Sequence, residues 1–362
     1  MLPTFFEQPN RVGVRSWLFQ AHLWMGLLLG LYMAAIGLTG SALIFRPEVE
    51  LRLIDRTAHG STPATPFQAA WENVRRAYPR HAVSTISLNQ YPGTTLDDPY
   101  RVKLQAGSRT FFTYVDSSTG ELVGVQHPVI QWIQDLHFKL FAGYTGVIVN
   151  AVGAVLFVMM CLTGAIIWWP GRRHWRKGFR VRWSTRWQVV NYDLHHVIGI
   201  ASAVLLGAVA AAAVVSAVEY RAGHHPEQIA WQSQVYSWPV DLDALVDAAN
   251  TAVPGGRGTF LYLPTSATTP FRFDKTVNGM TYRIFLDQQD GRVLRTDNAL
   301  PDLSFQARVD KWAGLIHYGR FWGYASRSAW VVLGLTVPLL FVSGLLMWWH
   351  RVVVKTLRRR AA

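Results

Sequence analysis

Cysteine is nearly absent from this chain of 362 residues, and charged residues are scarce. The single cysteine, Cys161, excludes a disulfide framework, a zinc ribbon and an iron–sulfur cluster held by thiolates. Charged residues make up 16 % of the chain, whereas a soluble domain carries about a quarter. Apolar residues make up 50 %. This composition excludes a disordered chain and disfavours an ordinary soluble enzyme.

Asp, Glu, Lys and Arg are missing altogether from four long stretches, residues 16–45, 140–171, 194–218 and 328–350. A helix needs about 20 apolar residues to cross the hydrocarbon core of a bilayer, and each stretch is long enough. No small-residue cleavage site follows the first stretch, so we expect it to remain as an anchor. The sequence therefore predicts a membrane protein, an α-helical bundle of four transmembrane helices.

Basic residues cluster beside the predicted helix ends. Residues 172–186 hold seven Lys or Arg and no acid, and both terminal tails are basic too. Basic loops stay in the cytoplasm, which predicts the bacterial inner membrane with both termini cytoplasmic. The net charge of +13 is then explained by topology and by attraction to the lipid bilayer, and no nucleic-acid partner is expected.

The second half of the chain repeats the first. A shift of 180 positions places Trp132 on Trp312 and aligns helix two with helix four. In the external segments, residues 110–116 and 281–287 share an alternating apolar pattern that ends in Asp, which is typical of a strand entering a turn. The chain is therefore predicted to be internally duplicated, and each half carries a small α+β module with one helix on a small antiparallel sheet.

This organisation predicts eight segments along the chain. They are the cytoplasmic N-tail with helix one (1–45), a first periplasmic module (46–139), helix two (140–171), a basic cytoplasmic loop (172–190), helix three (191–219), a second periplasmic module (220–327), helix four (328–350) and a basic cytoplasmic tail (351–362).

Four histidines occupy equivalent places in the two halves. His22 and His195 lie near the cytoplasmic ends of helices one and three, and His137 and His317 near the external ends of helices two and four. Histidine is rare within membranes and usually functional there. Each of them alone could be an interfacial residue, but symmetric pairs fit axial ligation of haem iron, whereas zinc requires three or four ligands. The sequence predicts two haem b groups, one on each pair.

His196 follows His195 directly, and the two side chains lie about 100° apart on a helix, so only one can face the partner histidine. Equivalence with His22 favours His195 and leaves His196 for a haem propionate or for lipid head groups. A straight helix from His137 to Trp168 would be about 47 Å long, which predicts that the outer pair lies at or above the outer head groups.

Short motifs around these histidines resemble those of the PepSY-associated transmembrane helix proteins. The motifs are AHLWMG at 21–26, GLTG at 37–40, LTG at 162–164, DLHH at 193–196 and, like the end of a PepSY domain, VDSSTGEL at 115–122. The resemblance spans nearly the whole chain, although the alanine run 208–213 departs from it. It implies two PepSY-like modules and an inner-membrane, haem-containing reductase of ferric siderophores.

A ferric siderophore or similar chelate would need a binding surface on the external modules. The basic and aromatic candidates are Arg101, Arg109, Arg221, Trp231 and Arg272, each of which could equally be an ordinary surface or core residue. The chain has no nucleotide-binding fingerprint, and its cytoplasmic segments are too short to fold around NADPH or a flavin. The electron donor is therefore expected to be a cytoplasmic partner or a quinol.

Two other functions stay open from the sequence. A non-enzymatic membrane anchor would present the two modules to a periplasmic partner and would bind no cofactor. A small-solute transporter is suggested by the repeat, but the only ionisable groups at membrane depth are histidines, and Pro338 is the only proline near the middle of a span.

Overall fold

The computed structural model of the chain consists of two compact units. The helical unit comprises Met1–Phe45, Trp132–Tyr220 and Val309–Ala362, and the sheet unit comprises Arg46–Gln131 and Arg221–Arg308. The structure describes residues 13–53, 67–88, 99–106, 109–183, 186–223, 241–264, 269–278, 280–298 and 305–354.

The described part of the chain forms helices and strands in a regular order. The helices are α1 (Val14–Leu43), α2 (Arg46–Leu53), α3 (Phe67–Ala77), α4 (Pro128–Lys139), α5 (Gly143–Trp168), α6 (Trp187–Gly223), α7 (Leu242–Ala252), α8 (Phe305–Tyr318) and α9 (Gly323–Trp349). The strands are β1 (Ala82–Ser87), β2 (Tyr100–Ala106), β3 (Arg109–Val115), β4 (Leu122–Val125), β5 (Arg257–Tyr262), β6 (Phe271–Val277), β7 (Met280–Leu286) and β8 (Val293–Asn298). A 3₁₀ turn, Trp175–Phe179, lies between α5 and α6.

Four of these helices, α1, α5, α6 and α9, are long and apolar enough to cross a membrane. This confirms the four predicted spans. Helices in a membrane pack through small residues, and a Cβ at Gly37 of α1 would lie 2.8 Å from the Gly334 carbonyl oxygen of α9. The backbones of α1 and α9 therefore approach closely. Ala154 of α5 with Leu206 and Ala210 of α6 extend the buried apolar core.

The chain reverses direction between α4 and α5. Leu140 and Phe141 have φ angles of 47° and 58°, and Gly143 has a φ of 57°, so three residues of the connection are left-handed. The Asn150 side chain of α5 donates a hydrogen bond to the His137 carbonyl oxygen at 2.8 Å. This bond satisfies a carbonyl at the open end of α4 and holds α4 folded back beside α5.

A matching reversal precedes α9. Gly319 and Gly323 have φ angles of 64° and 58°. The indole N–H of Trp330 donates to the Ile316 carbonyl oxygen at 2.7 Å, so a side chain of α9 caps the end of α8. The two reversals place His137 and His317, near the ends of α4 and α8, inside the helical unit.

One antiparallel sheet of eight strands runs through the sheet unit, in the order β4-β3-β2-β1-β5-β6-β7-β8. The first four strands come from one half of the chain and the last four from the other. They join through three residue pairs of β1 and β5, centred on Ile86 opposite Leu261. The expectation of one small sheet in each module is therefore wrong, because β1 and β5 complete each other's hydrogen bonding.

Helices α3 and α7 cover one face of this sheet. Val74 of α3 and Leu245 of α7 are fully buried in one core together with Ile86 and Phe273 of the strands. Both helices were predicted from the sequence, and each is followed by a proline that disfavours further helix. Because strand side chains alternate between faces, Arg101 and the residues in register with it lie on the opposite face.

Candidate functional site

His22 of α1 lies in a groove on α5. Its Nδ1 is 3.1 Å from both the Met160 carbonyl oxygen and the Thr163 hydroxyl. The Thr163 hydroxyl donates to the Met160 carbonyl at 3.0 Å, so it accepts from the imidazole, and Nδ1 carries the proton. A Cβ at Gly164 would lie 3.0 Å from the His22 Cε1, which leaves no room for a side chain. We call this arrangement a histidine groove. It consists of a backbone carbonyl, a side-chain hydroxyl three residues later and a glycine directly after the hydroxyl residue.

His195 of α6 occupies a histidine groove on α9. Its Nδ1 is 2.8 Å from the Ser343 hydroxyl, which itself donates to the Leu340 carbonyl at 3.0 Å. A Cβ at Gly344 would lie 3.4 Å from the His195 Cε1. The three groove positions are those of α5 shifted by 180 residues, so His22 and His195 are held alike.

His137 of α4 lies in a third groove, on α1. Its Nδ1 is 3.0 Å from the Ile36 carbonyl oxygen and 3.1 Å from the Thr39 hydroxyl. A Cβ at Gly40 would lie 2.8 Å from the His137 Cε1. The reversal after α4 is what brings this imidazole to α1.

His317 of α8 faces the corresponding stretch of α6, but that groove is incomplete. Its Nδ1 lies 3.3 Å from the Val209 carbonyl oxygen. The positions that would carry the hydroxyl and the glycine are Ala212 and Ala213. This is the alanine run that departs from the family pattern, and it removes one acceptor and adds a methyl group.

All four imidazoles use their two ring nitrogens in the same way. Each Nδ1 faces an oxygen of a neighbouring helix, and among the described residues no hydrogen-bond partner is found for any of the four Nε2 atoms. A histidine that ligates a metal typically uses its other ring nitrogen in this way. The donor set is therefore four neutral imidazoles, each with one free lone pair.

The outer pair, His137 and His317, is brought together directly. The two ring centroids are 6.2 Å apart and the ring planes are inclined by 49°. Two imidazoles that bind one metal from opposite sides, each with a nitrogen about 2.0–2.1 Å from it, have centroids roughly 6 Å apart. The spacing of the outer pair matches that requirement.

The inner pair, His22 and His195, lines one cavity of about 1290 Å³. The cavity exceeds the range of about 300–1,000 Å³ that is usual for ligand sites. Gly26 and Gly199 contribute open stretches of its wall, because a Cβ on either would meet no atom closer than 3.8 Å, whereas the Phe341 ring packs against Gly30. A large planar ligand fits a space of this size and lining.

The two pairs lie at different depths along the same helices. Ile36, whose carbonyl receives His137, lies 14 residues after His22 on α1, which is about 21 Å. Both sites therefore fit within a hydrocarbon core of about 30 Å. The straight helix from His137 to Trp168, on which the predicted depth of the outer pair was based, is not formed, because the chain reverses between α4 and α5.

His196 is placed differently from its neighbour. Its Nδ1 lies 2.9 Å from the Tyr192 carbonyl oxygen of its own helix, and its ring lies 4.0 Å from the Tyr192 ring. It lines the same cavity as His22 and His195 without occupying a groove. The structure thus distinguishes His195 as the equivalent of His22.

Two of the predicted substrate residues are already engaged within the sheet unit. The Arg101 guanidinium lies 3.5 Å from the centre of the Phe112 ring, and that of Arg272 lies 3.7 Å from the Tyr262 ring. The Arg272 Nε is also 2.9 Å from a carboxylate oxygen of Asp274. Burial raises the pKa of Asp274, although Arg272 opposes that shift. Both arginines pack against aromatic rings, and their role toward a substrate stays a prediction.

Two of the other three substrate candidates lie within the described residues. Arg109 begins β3 and Arg221 lies near the end of α6. Trp231 lies outside the described residues. Sequence reasoning also missed the roles of Thr163, Thr39 and Ser343, although their fixed spacing before Gly164, Gly40 and Gly344 was a usable signal.

These observations define a membrane protein that holds two histidine pairs within a helical bundle and carries an eight-stranded antiparallel sheet. Residues 19–351 match the PepSY-associated TM region, and the chain belongs to this family. The predicted family is therefore confirmed.

Two further comparisons add little. A candidate lipoprotein from Clostridium difficile 630, known as a crystal structure, is 10 % identical in sequence. The match covers 66 % of this chain and 96 % of that chain with a TM-score of 0.28, which supports no inference. No curated protein matches the chain. Among the described residues there is no group of three or more His, Cys, Asp or Glu that could hold a metal ion. A pair of imidazoles has only two members and lies outside this criterion.

Proposed function

We propose that this chain is an inner-membrane, di-haem electron-transfer protein that reduces ferric siderophores or similar ferric chelates on the periplasmic side and releases Fe(II). One observation carries the proposal. The rings of His137 and His317 lie 6.2 Å apart, His22 and His195 line one cavity, and each Nδ1 faces an oxygen of a neighbouring helix. This donor set suits axial ligation of haem iron.

Haem b held by His22 with His195, and by His137 with His317, would supply one-electron transfer through the bundle. The protein contributes position and environment. The three complete grooves fix the ring orientation and the tautomer of His22, His137 and His195. The separation of about 21 Å along α1 spaces the sites across the membrane rather than side by side.

The direction of electron flow follows from the charge distribution. The basic segment 172–186, between α5 and α6, supports a cytoplasmic position for that end of the bundle. The inner pair then lies toward a quinol or cytoplasmic donor, and the sheet unit lies in the periplasm. Each ferric ion gains one electron, which the donor loses, and Fe(II) leaves because hard oxygen ligands hold it less tightly than Fe(III). The matched grooves on α5 and α9 also support internal duplication.

The decisive experiment is the absorption spectrum of the purified protein, oxidised and reduced with dithionite. We expect b-type bands, of which about half are lost in His22→Ala or His195→Ala, and the other half in His137→Ala or His317→Ala. His196→Ala is the matched control, because it removes an imidazole from the same cavity outside any groove. Equal losses in His195→Ala and His196→Ala would contradict this ligand assignment.

Reduction of substrate needs its own test. Wild-type protein in liposomes, given a reduced quinol and a ferric siderophore, should form Fe(II) that a chromogenic Fe(II) chelator traps. His137→Ala should abolish this formation, since it interrupts the outer site. A protein that stays colourless even when haemin is supplied during expression would instead favour the non-enzymatic anchor.

A further inference from the structure

The four histidines differ in the number and quality of the acceptors at Nδ1. His22 has two oxygens at 3.1 Å, and His195 has a hydroxyl at 2.8 Å. His137 has two oxygens, at 3.0 and 3.1 Å. His317 has one, at 3.3 Å, beyond the usual limit of about 3.2 Å. The inner pair is thus fully supported, and the outer pair carries one weakly supported ligand.

The cause of this difference lies in two residues of α6. Where the other grooves carry a hydroxyl and a glycine, α6 carries Ala212 and Ala213. Ala212 cannot accept from the imidazole. In the complete grooves the glycine Cα runs close under the ring, and at Gly40 an added Cβ would come within 2.8 Å of Cε1. Ala213 stands at the position of that glycine in α6, and the distance from Nδ1 to the carbonyl oxygen is 3.3 Å at His317, longer than at His22 and His137.

From this difference we infer that Thr39, Thr163 and Ser343 are positioning residues that tune the histidine pairs, and that the missing hydroxyl at Ala212 gives the outer site a higher reduction potential than the inner site. The inference rests on the proposed function. An acceptor at Nδ1 makes the imidazole a more basic ligand. A more basic ligand favours the more highly charged Fe(III) and lowers the potential, since hydrogen bonding around a haem is one of the protein's means of setting it.

Such a difference in reduction potential would give electron transfer between the two sites a preferred direction. With haem bound by both histidine pairs, transfer of one electron from the inner site to the outer site would be downhill, because the outer potential is the higher. The asymmetry lies in α6 alone, because the groove on α1 retains its hydroxyl and glycine for His137. This asymmetry would favour transfer from the inner site to the outer site without any further residue.

The test is a potentiometric titration of the purified, haem-loaded protein followed by its b-type bands. We expect two midpoints, with the higher one lost in His317→Ala. Ala212→Ser should lower that midpoint, and Thr163→Val should raise the other. Each shift should correspond to about a tenfold change in the ratio of oxidised to reduced haem, the lower end of effects seen when such outer partners are removed, which equals about 59 mV for a one-electron couple.

Thr163→Ser separates tuning from packing, because it keeps the hydroxyl and should restore the wild-type midpoint. Unchanged midpoints in Thr163→Val and Ala212→Ser, with haem bound, would overturn the inference and leave the proposed function standing. An outer midpoint below the inner one would also overturn it. A preparation without b-type bands would overturn the proposed function and this inference with it.

Discussion

At the scale of single residues, the histidine grooves depend on the absence of a side chain as much as on the imidazoles. Gly40 and Gly164 lie under the Cε1 atoms of His137 and His22, where a Cβ would come within 2.8 and 3.0 Å. A Cβ at Gly207 of α6 would meet no atom closer than 3.8 Å, which is an ordinary contact with Cys161. The three glycines thus provide a matched set, two under histidines and one with room for a methyl group.

Adding a methyl group should therefore affect one site at a time. We expect Gly40→Ala to reduce haem content at the outer site and Gly164→Ala at the inner site, because overpacking costs about 1–3 kcal/mol and displaces the imidazole. Gly207→Ala should leave both sites intact, since alanine favours a helix over glycine. Haem content and reduced spectra of the three variants check this. Equal effects of all three would show that the glycines serve helix packing alone.

How far the sequence predicts this site depends on the residue. The histidines were recognisable because the second half of the chain repeats their positions. The hydroxyls were not assigned a role, since threonine and serine are common in membrane helices, and only the fold shows which helix faces which imidazole. The preference for His195 over His196 agrees with the groove in α9, while iron ligation itself stays a prediction.

At the scale of elements, α3 and α7 cap each other. Asp243 of α7 accepts hydrogen bonds from the backbone N–H groups of Phe67 and Gln68 at the start of α3, at 2.6 and 3.2 Å. In return, the Gln68 side chain accepts from the Leu242 N–H at the start of α7 at 3.2 Å. Each helix thereby satisfies an open donor of the other, which ties the two halves of the sheet unit together above β1 and β5.

This capping predicts a dependence of stability on pH. Burial raises the pKa of Asp243 above its ordinary value of 3.8, and the N–H groups of Phe67 and Gln68 oppose the shift only in part. Protonated Asp243 therefore stabilises the folded state fully below pH 3.8, and this stabilisation is lost as the pH rises through the raised pKa. Between about pH 4 and pH 7 the wild type should lose more stability than Asp243→Asn. Thermal unfolding by circular dichroism checks this, and identical trends would contradict it.

The elements themselves were largely predictable. The four spans follow from runs without charge, and one helix was predicted in each module, where α3 and α7 lie, each followed by a proline. Two features were not. The reversal after α4 uses Leu140 and Phe141 in left-handed conformations, which no propensity indicates. The pairing of β1 with β5 joins strands 170 or more residues apart, and alternating patterns alone do not specify the partner of a strand.

At the scale of the whole molecule, the proposed orientation can be tested because the chain holds a single cysteine. In a Cys161→Ser background, Gln289→Cys lies in the exposed turn between β7 and β8, and Lys177→Cys lies in the exposed 3₁₀ turn after α5. A membrane-impermeant maleimide added to spheroplasts should label position 289 and should label position 177 only after permeabilisation. The reverse pattern would place the sheet unit in the cytoplasm.

The junction of β1 and β5 has a consequence for dividing the chain. Its three residue pairs are arranged symmetrically about the centre. Ile86 lies opposite Leu261, with Thr85 opposite Tyr262 on one side and Ser87 opposite Phe260 on the other. A fragment carrying either half alone would expose the unpaired backbone N–H and C=O groups of β1 or β5, and exposed strand edges promote self-association. Two co-expressed fragments, divided within the basic segment 172–186, should associate through the pairing of β1 with β5.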